Sequence, residues 1–260
     1  MNNKKLTTTK TFELAFQNHQ KNNFETARKL YKQILEKQPN HFKTIFHLGT
    51  LSIQTKKFGR AKSYYEKAMQ INQNSPEVHH NLGTILQQLG DIKKAIVYYE
   101  KAIQINPNYA SAHNNLGNAF SKLGEHKKAV DCYKKAIKIN PNYAQAYNNM
   151  GTALHKLDNT NEAIKNYKKA ISLKTDFAEA YNNLGNAIRE LNQPKEALPY
   201  FKRAIEIKPN YVEAFNSLGG AHQELGEKKE ALKNFQEAIK IKPDYAEAHN
   251  NLGLVWSDLA

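Results

Sequence analysis

Apolar and small side chains recur along this chain in two blocks of helical spacing within every 34 residues. In residues 144–177 they stand at positions 4, 7, 8 and 11 of the segment, and again at positions 20, 24, 27 and 28. Intervals of three and four residues place side chains on one face of an α-helix. The pattern therefore predicts a pair of amphipathic helices in each segment.

Three kinds of residue repeat with the same period of 34, and no insertion interrupts it. Position 8 is Gly49, Gly83, Gly117, Gly151, Gly185, Gly219 and Gly253. Position 20 is Ala27, Ala61, Ala95, Ala129, Ala163, Ala197 and Ala231. Position 24 is Tyr31, Tyr65, Tyr99, Tyr133, Tyr167, Phe201 and Phe235. The small residues are expected to let the two helices of a pair approach closely, and the aromatic side chains are expected in the core.

Turn and stop signals separate the predicted helices. Position 15 is Asn22, Lys56, Gly90, Gly124, Asp158, Asn192 and Gly226. Glycine and asparagine tolerate the left-handed conformation that ends a helix. Position 32 is Pro39, Pro107, Pro141, Pro209 and Pro243, where the second helix must stop. Each segment is therefore predicted to be two antiparallel helices joined by a tight turn.

With this period, these small residues and these aromatics, the sequence resembles the tetratricopeptide-repeat (TPR) family. The resemblance implies an all-α, right-handed superhelical solenoid of helix-turn-helix repeats, in which the first helix of each pair lines a concave groove. It divides the chain into a flexible polar N-terminus (1–7), seven repeats (8–41, 42–75, 76–109, 110–143, 144–177, 178–211 and 212–245) and the first helix of an eighth (246–260). The first repeat departs most, with Ala15 in place of the glycine, as expected of a terminal repeat.

Asparagine accumulates at positions 5, 6 and 9, on the face of the first helix that points away from its partner. Each asparagine is roughly 0.5–0.7 kcal/mol less favourable in a helix than alanine. An amide carries both a donor and an acceptor, as a peptide unit does, so a column of amides can hold an extended peptide by its main chain. The residues predicted to bind peptide are Asn81, Asn114, Asn115, Asn118, Asn148, Asn149, Asn182, Asn183, Asn186 and Asn251.

Two other interpretations of these asparagines stay open. One is that positions 6 and 9 carry asparagine as part of the general TPR pattern and bind nothing. The other follows from the asparagine pair at positions 5 and 6, which resembles the superhelix of protein O-linked N-acetylglucosamine transferases, whose groove presents an asparagine ladder to substrate backbones. That resemblance implies the substrate-recognition arm of such a transferase, with a catalytic domain beyond residue 260.

No catalytic, cofactor or metal site is predicted, so this segment is not expected to be an enzyme. Gly-rich phosphate loops and nucleophile elbows are absent from the sequence, and Glu179, Glu213 and Glu247 recur at position 2 as a rim of the groove. The histidines at position 4 alternate with tyrosine and phenylalanine in other repeats, which indicates packing rather than zinc binding. Position 5 also lacks the lysine that chaperone-binding TPR proteins use to hold a terminal carboxylate.

The chain is basic, with 38 Lys and Arg against 24 Asp and Glu. Many lysines fall on the predicted outer face of the second helices, which indicates a solvated surface. Because the recurrent aromatics are core positions, no specific nucleic-acid site is expected. Attraction to acidic partners at low salt stays open. No secretory signal or membrane-spanning stretch is found, and the lone Cys132 cannot form an internal disulfide, so a cytoplasmic location is expected.

The last predicted helix is unusually apolar, with Leu252, Leu254, Val255, Trp256 and Leu259. A repeat array usually ends in a helix with a polar outer face. Two expectations follow: the helix self-associates through this surface, or the sequence is one piece of a longer protein.

Overall fold

A computed structural model describes residues 7–257, which form α-helices joined by short turns, with no strand among these residues. The helices are Thr8–Gln20 (α1), Phe24–Lys37 (α2), Phe42–Gln54 (α3), Phe58–Ile71 (α4), Pro76–Gln88 (α5), Ile92–Ile105 (α6), Ala110–Lys122 (α7), His126–Ile139 (α8), Ala144–His155 (α9), Thr160–Leu173 (α10), Ala178–Glu190 (α11), Pro194–Ile207 (α12), Val212–Glu224 (α13), Lys228–Ile241 (α14) and Ala246–Ser257 (α15). The prediction of an all-α repeat solenoid is confirmed.

The chain divides into two compact units, residues 1–124 and 125–260, which are described separately. The N-terminal unit holds α1–α7 and the C-terminal unit holds α8–α15. Within each unit, an odd-numbered helix packs most extensively on the even-numbered helix that follows it, for example α11 on α12 and α13 on α14. Each even-numbered helix then contacts the next odd-numbered one, so the helical pairs stack in chain order.

The odd-numbered helices also contact one another directly. In the C-terminal unit α9 contacts α11, α11 contacts α13, and α13 contacts α15. Among the described residues, contacts of this extent are not found between successive even-numbered helices. The odd-numbered helices are therefore on the inner side of the stack. We call the side of these helices that faces away from the paired even-numbered helix, made by repeat positions 2, 5, 6, 9, 12 and 13, the inner face.

The turns between paired helices have the geometry that position 15 predicted. All seven residues at this position have positive φ: Asn22, Lys56, Gly90, Gly124, Asp158, Asn192 and Gly226. The N–H that follows reaches back across the turn, as from Asp91 to the carbonyl of Leu86 at 2.9 Å. These bonds satisfy carbonyls that the end of the helix would leave unpaired.

The recurring glycine at position 8 makes room for the recurring aromatic ring rather than for a helix backbone alone. A Cβ added at Gly185 would lie 2.6 Å from Cε1 of Phe201, and one at Gly151 would lie 2.7 Å from Cε1 of Tyr167. Both rings are almost fully buried. The glycine and the aromatic residue are therefore one packing unit in the five helical pairs that contain Gly49, Gly83, Gly151, Gly185 and Gly219.

Within residues 7–257 no helix combines the length and the apolar character needed to cross a membrane. The N-terminal segment predicted at residues 1–7 lies outside the described residues except for Thr7, whose hydroxyl accepts from the N–H of Lys10 at the start of α1. Leu259 also lies outside the described residues.

Candidate functional site

The asparagines at position 5 of helices α9, α11 and α13 are buried. Asn148, Asn182 and Asn216 are 0%, 5% and 6% exposed, whereas Asn183 and Asn186 are half-buried. Successive residues on a helix differ in direction by about 100°, so positions 5 and 6 cannot face the groove equally. Position 5 is turned towards the neighbouring repeat.

Asn148 links its repeat to the next one through both ends of its amide. Its Nδ2 donates to Oε1 of Glu179 at 3.0 Å, and its Oδ1 accepts from Nδ2 of Asn183 at 3.1 Å. Both partners lie on α11, and Asn148 lies on α9. A buried amide with both groups satisfied stabilises the stack, because an unpaired one would cost about 1–3 kcal/mol.

The same bridge recurs two repeats further along the chain and, with a different residue, in the N-terminal unit. Asn216 donates to Glu247 at 2.9 Å and accepts from Asn251 at 3.0 Å. His80 also occupies position 5, and its Nε2 accepts from Nδ2 of Asn115 at 2.9 Å. Burial lowers the pKa of His80, which keeps the ring neutral and its Nε2 lone pair available for this bond.

The bridge is incomplete between α11 and α13. Oδ1 of Asn182 is buried and has no hydrogen-bond partner. The residue at position 6 of the next repeat is Ser217, where the other bridges have an asparagine donor. The shorter side chain therefore leaves an acceptor oxygen unsatisfied at this step of the stack.

Asn186 presents an amide that the fold does not use. In three other repeats position 9 is threonine, and its hydroxyl pairs with the tyrosine at position 24, as Thr152 does with Tyr167 at 3.3 Å. Phe201 replaces that tyrosine opposite Asn186 and offers no hydroxyl. Asn186 makes no side-chain hydrogen bond to any residue within 7–257 and is half-buried on the inner face, beside Asn183.

In the N-terminal unit the predicted amides of Asn81 and Asn114 form hydrogen bonds within the fold. Asn81 donates to the hydroxyl of Tyr65 at 3.0 Å and accepts from His80. Asn114 is buried, 3% exposed, and donates to Asn115 at 3.2 Å. Asn118 in α7 is half-buried, as is Asn149, which lies in the C-terminal unit and accepts from Gln145 at 2.9 Å.

The start of the N-terminal unit carries aromatic rings on its inner face instead of amides. Phe12 and Phe16 on α1 pack on His47 of α3, with ring centroids 5.6 and 5.0 Å away. His47 also stacks on Tyr31, with an interplanar angle of 7°. Burial, with smaller contributions from His19 and Lys43, lowers the pKa of His47 to about 4, so this ring is neutral at pH 7.

Arg189 was not among the predicted site residues, yet it reaches across the inner face of the C-terminal unit. Its Nη1 donates to the backbone carbonyl of Ser217 at 3.1 Å, and its Nε lies 3.5 Å from Oε1 of Glu224. The guanidinium occupies space left by Gly220, where a Cβ would lie 2.6 Å from Nη1. Glycine at position 9, where the five preceding repeats have threonine or asparagine, was the signal in the sequence.

The histidines at position 4 have a structural role. Nε2 of His79, His113 and His249 contacts the backbone carbonyl of the residue at position 32 before it, at 2.9–3.0 Å. Among the described residues no group of three or more His, Cys, Asp or Glu is placed to hold a metal ion. Cys132 is buried.

Sequence models of the tetratricopeptide repeat match residues 19–82, 110–143, 132–165 and 176–244, and a TPR repeat model matches residues 85–124 and 153–191. The chain belongs to the tetratricopeptide-repeat family. Proteins of this class are generally non-catalytic scaffolds that bind proteins or peptides. No curated protein matches the chain.

Solved structures resemble the chain over most of its length. YrrB, described as a TPR protein with an unusual peptide-binding site, is 25% identical, and the match covers 72% of this chain and 96% of YrrB with a TM-score of 0.56. MamA is 29% identical over 64% of this chain and 97% of its own, with a TM-score of 0.57. A TPR protein from Parabacteroides merdae ATCC 43184, 17% identical, covers 96% of this chain and 98% of its own with a TM-score of 0.74, which shows the shared fold.

Proposed function

We propose that the inner face of the C-terminal unit binds an extended polypeptide segment through its main chain. The observation that carries this proposal is Asn186, whose amide makes no side-chain hydrogen bond within the fold, beside Asn183, which uses one N–H in the bridge to Asn148. These amides offer donors and acceptors that match peptide groups. The peptide-binding site named for YrrB supports the same use of the fold. In this proposal the buried amides at position 5 hold the helices in place rather than touching the ligand.

The spacing of the repeats sets what the ligand can be. Neighbouring helices pack roughly 8–10 Å apart, and an extended chain advances about 3.3–3.6 Å per residue. Each repeat therefore meets about every third ligand residue. Each amide contributes a net ~0.5–1.5 kcal/mol, and ordering the peptide opposes this gain. We therefore expect weak binding, in which the amides distinguish little between the side chains of the ligand.

The test uses a fluorescent twelve-residue probe, (Ser-Gly-Gln)4, and fluorescence anisotropy with the full chain. Replacing both Asn183 and Asn186 with alanine should weaken binding roughly tenfold, because two hydrogen bonds are lost. The matched control is Asn161→Ala, which removes an exposed amide from the even-numbered helix α10. A probe N-methylated at every third residue should also bind less tightly. Equal affinity of the double variant and the wild type, with helix content retained, would refute the proposal.

The transferase interpretation predicts the same loss on replacing these amides but adds a requirement on the ligand. A substrate arm must accept segments with serine or threonine and present them to a catalytic domain. Testing it requires the complete transcript and an assay for sugar transfer to a bound peptide. A chain that binds peptide without any transferase partner would contradict it.

Self-association is a second proposal, based on the end of the C-terminal unit. Leu254 and Trp256 on α15 are 58% and 55% exposed, while Val255 between them is buried. Pairing of two copies through this surface would remove both side chains from water. Sedimentation equilibrium should show a dimer that Leu254→Gln with Trp256→Gln abolishes. A monomeric wild type at 100 μM or so would refute it.

A further inference from the structure

Charge in the C-terminal unit is segregated between the two kinds of helix. The inner helices α9, α11, α13 and α15 carry five glutamates and one arginine. The outer helices α8, α10, α12 and α14 carry fifteen lysines and arginines against six acidic residues. In this unit the excess of positive charge therefore lies on the outer helices, and the inner helices carry an excess of negative charge.

Two of the five glutamates already have cationic or cationizable partners. Glu224 pairs with Arg189, and Glu190 contacts His155. The remaining three, Glu179, Glu213 and Glu247, stand at position 2 of successive repeats, and we call them the glutamate row. None of the three forms an ion pair with lysine or arginine in the described part of the chain, and all three residues are exposed.

The charges of the glutamate row contribute to the raised pKa values of two tyrosines between the repeats. Burial is the main reason that the pKa of Tyr211 is raised to about 12, and the charges of Glu179 and Glu213 add to it. Burial likewise raises the pKa of Tyr245, with contributions from Glu247 and Glu213. Lys208 lies over the ring of Tyr211, with its Nζ 4.3 Å from the ring centroid.

At Glu213 the row lies beside a step of the stack that lacks one hydrogen bond between repeats. Asn182 is more than nine-tenths buried and its Oδ1 has no partner, because Ser217 stands where an asparagine donor completes the other bridges. In those bridges the position 5 amide also bonds the glutamate row, as Asn148 bonds Glu179. At this step of the stack the glutamate is Glu213.

We propose that the inner face of the C-terminal unit selects cationic segments, in which lysine or arginine side chains at every third residue meet the glutamate row. Ammonium and guanidinium groups carry only donors, so they complement the exposed carboxylates of the row. The outer face repels the same segments, which directs them to the inner face. This inference rests on the proposed peptide-binding function and adds the chemical class of the ligand.

The experiment compares three probes of equal length, (Ser-Gly-Lys)4, (Ser-Gly-Gln)4 and (Ser-Gly-Glu)4, by anisotropy with the full chain. The lysine probe should bind roughly threefold to tenfold more tightly than the glutamine probe at 50 mM salt, and the glutamate probe more weakly than both. At 0.5 M salt the preference should fall below roughly twofold, because exposed charges are screened.

Two triple variants separate the glutamate row from the overall charge. In the first, Glu179→Gln, Glu213→Gln and Glu247→Gln together should abolish the preference for lysine and leave binding of the glutamine probe within about twofold. The control changes the glutamates at position 19 of the outer helices, Glu162→Gln, Glu196→Gln and Glu230→Gln, and alters net charge equally. The control should keep the full preference.

The outcomes distinguish this inference from the function on which it rests. If the glutamine probe binds and depends on Asn183 and Asn186, but the lysine probe binds no better, the inference is wrong and the proposed function stands. If no probe binds, or if binding does not depend on Asn183 and Asn186, both the inference and the proposed function are wrong. An equal loss of preference in the two triple variants would also overturn the inference, because the general charge would then explain it.

Discussion

Replacing Gly185 with alanine should destabilise the protein although alanine is the better helix former. The added Cβ would lie 2.6 Å from Cε1 and 2.9 Å from Cζ of Phe201, whereas carbon atoms pack at about 3.5–4.0 Å. The ring is 0% exposed and packed in a core with Ile188 and Leu218, so it cannot move without displacing its neighbours. Overpacking of this kind costs about 1–3 kcal/mol, and alanine regains up to about 1 kcal/mol of helix propensity. We expect a net loss of about 1–2 kcal/mol in urea unfolding followed by circular dichroism.

Gly59→Ala is the matched control for this prediction. Gly59 lies in helix α4 and a Cβ there would meet nothing within 4 Å. The same substitution should therefore stabilise the protein by up to about 1 kcal/mol. In a Phe201→Leu background, where the ring is absent, Gly185→Ala should become neutral or stabilising. The reasoning is refuted if Gly185→Ala stabilises the wild type as Gly59→Ala does, or if its effect is the same with and without the ring.

Three further predictions follow from single sites. Burial lowers the pKa of His47 in the fold to about 4, against an ordinary value of 6.5, so as the pH falls the unfolded chain takes up a proton before the folded one does. The contribution of His47 to stability should therefore be constant above pH 6.5 and fall between pH 6.5 and 4. Urea midpoints measured across this range should fall less in His47→Asn than in the wild type. Ser217→Asn should stabilise by about 0.5–1.5 kcal/mol, because it supplies a donor to Asn182; an unchanged urea midpoint would contradict this. Lys56→Gly should stabilise the fold by about 0.5 kcal/mol, and so raise the urea midpoint, because Lys56 has φ of 56°. Lys57→Gly, at a residue with φ of −93°, should lower the midpoint.

The period of 34 residues was sufficient to predict the helices and their turns. Even Lys56 and Asp158, which are unusual left-handed residues, could be placed in the turns because their repeats align with Gly90 and Gly124. The role of Gly185 was predicted only in part. The sequence indicates that a small residue is needed, but the atom that would collide with a side chain there belongs to a ring sixteen residues away.

The site was less predictable, because it depends on which way each helix is turned in the stack. Asn148 and Asn149 are neighbours of the same type, and helical periodicity alone assigned both to the groove. The structure buries Asn148 against the next repeat and leaves Asn149 half-buried. The position of Arg189 over Gly220 likewise depends on packing between repeats, which no pattern within one helix can supply.

The buried amides explain why asparagine can be kept in these helices despite its low propensity. Each loses roughly 0.5–0.7 kcal/mol relative to alanine, but Asn148 makes two hydrogen bonds to the next repeat, each worth a net ~0.5–1.5 kcal/mol. Position 5 therefore stabilises the stack without any ligand. Asn186 has no such compensation, since its half-buried amide makes no bond within the fold. Its loss of propensity is offset only if a ligand pairs with it, which is why Asn186, rather than the more numerous buried asparagines, is the residue whose replacement tests for peptide binding.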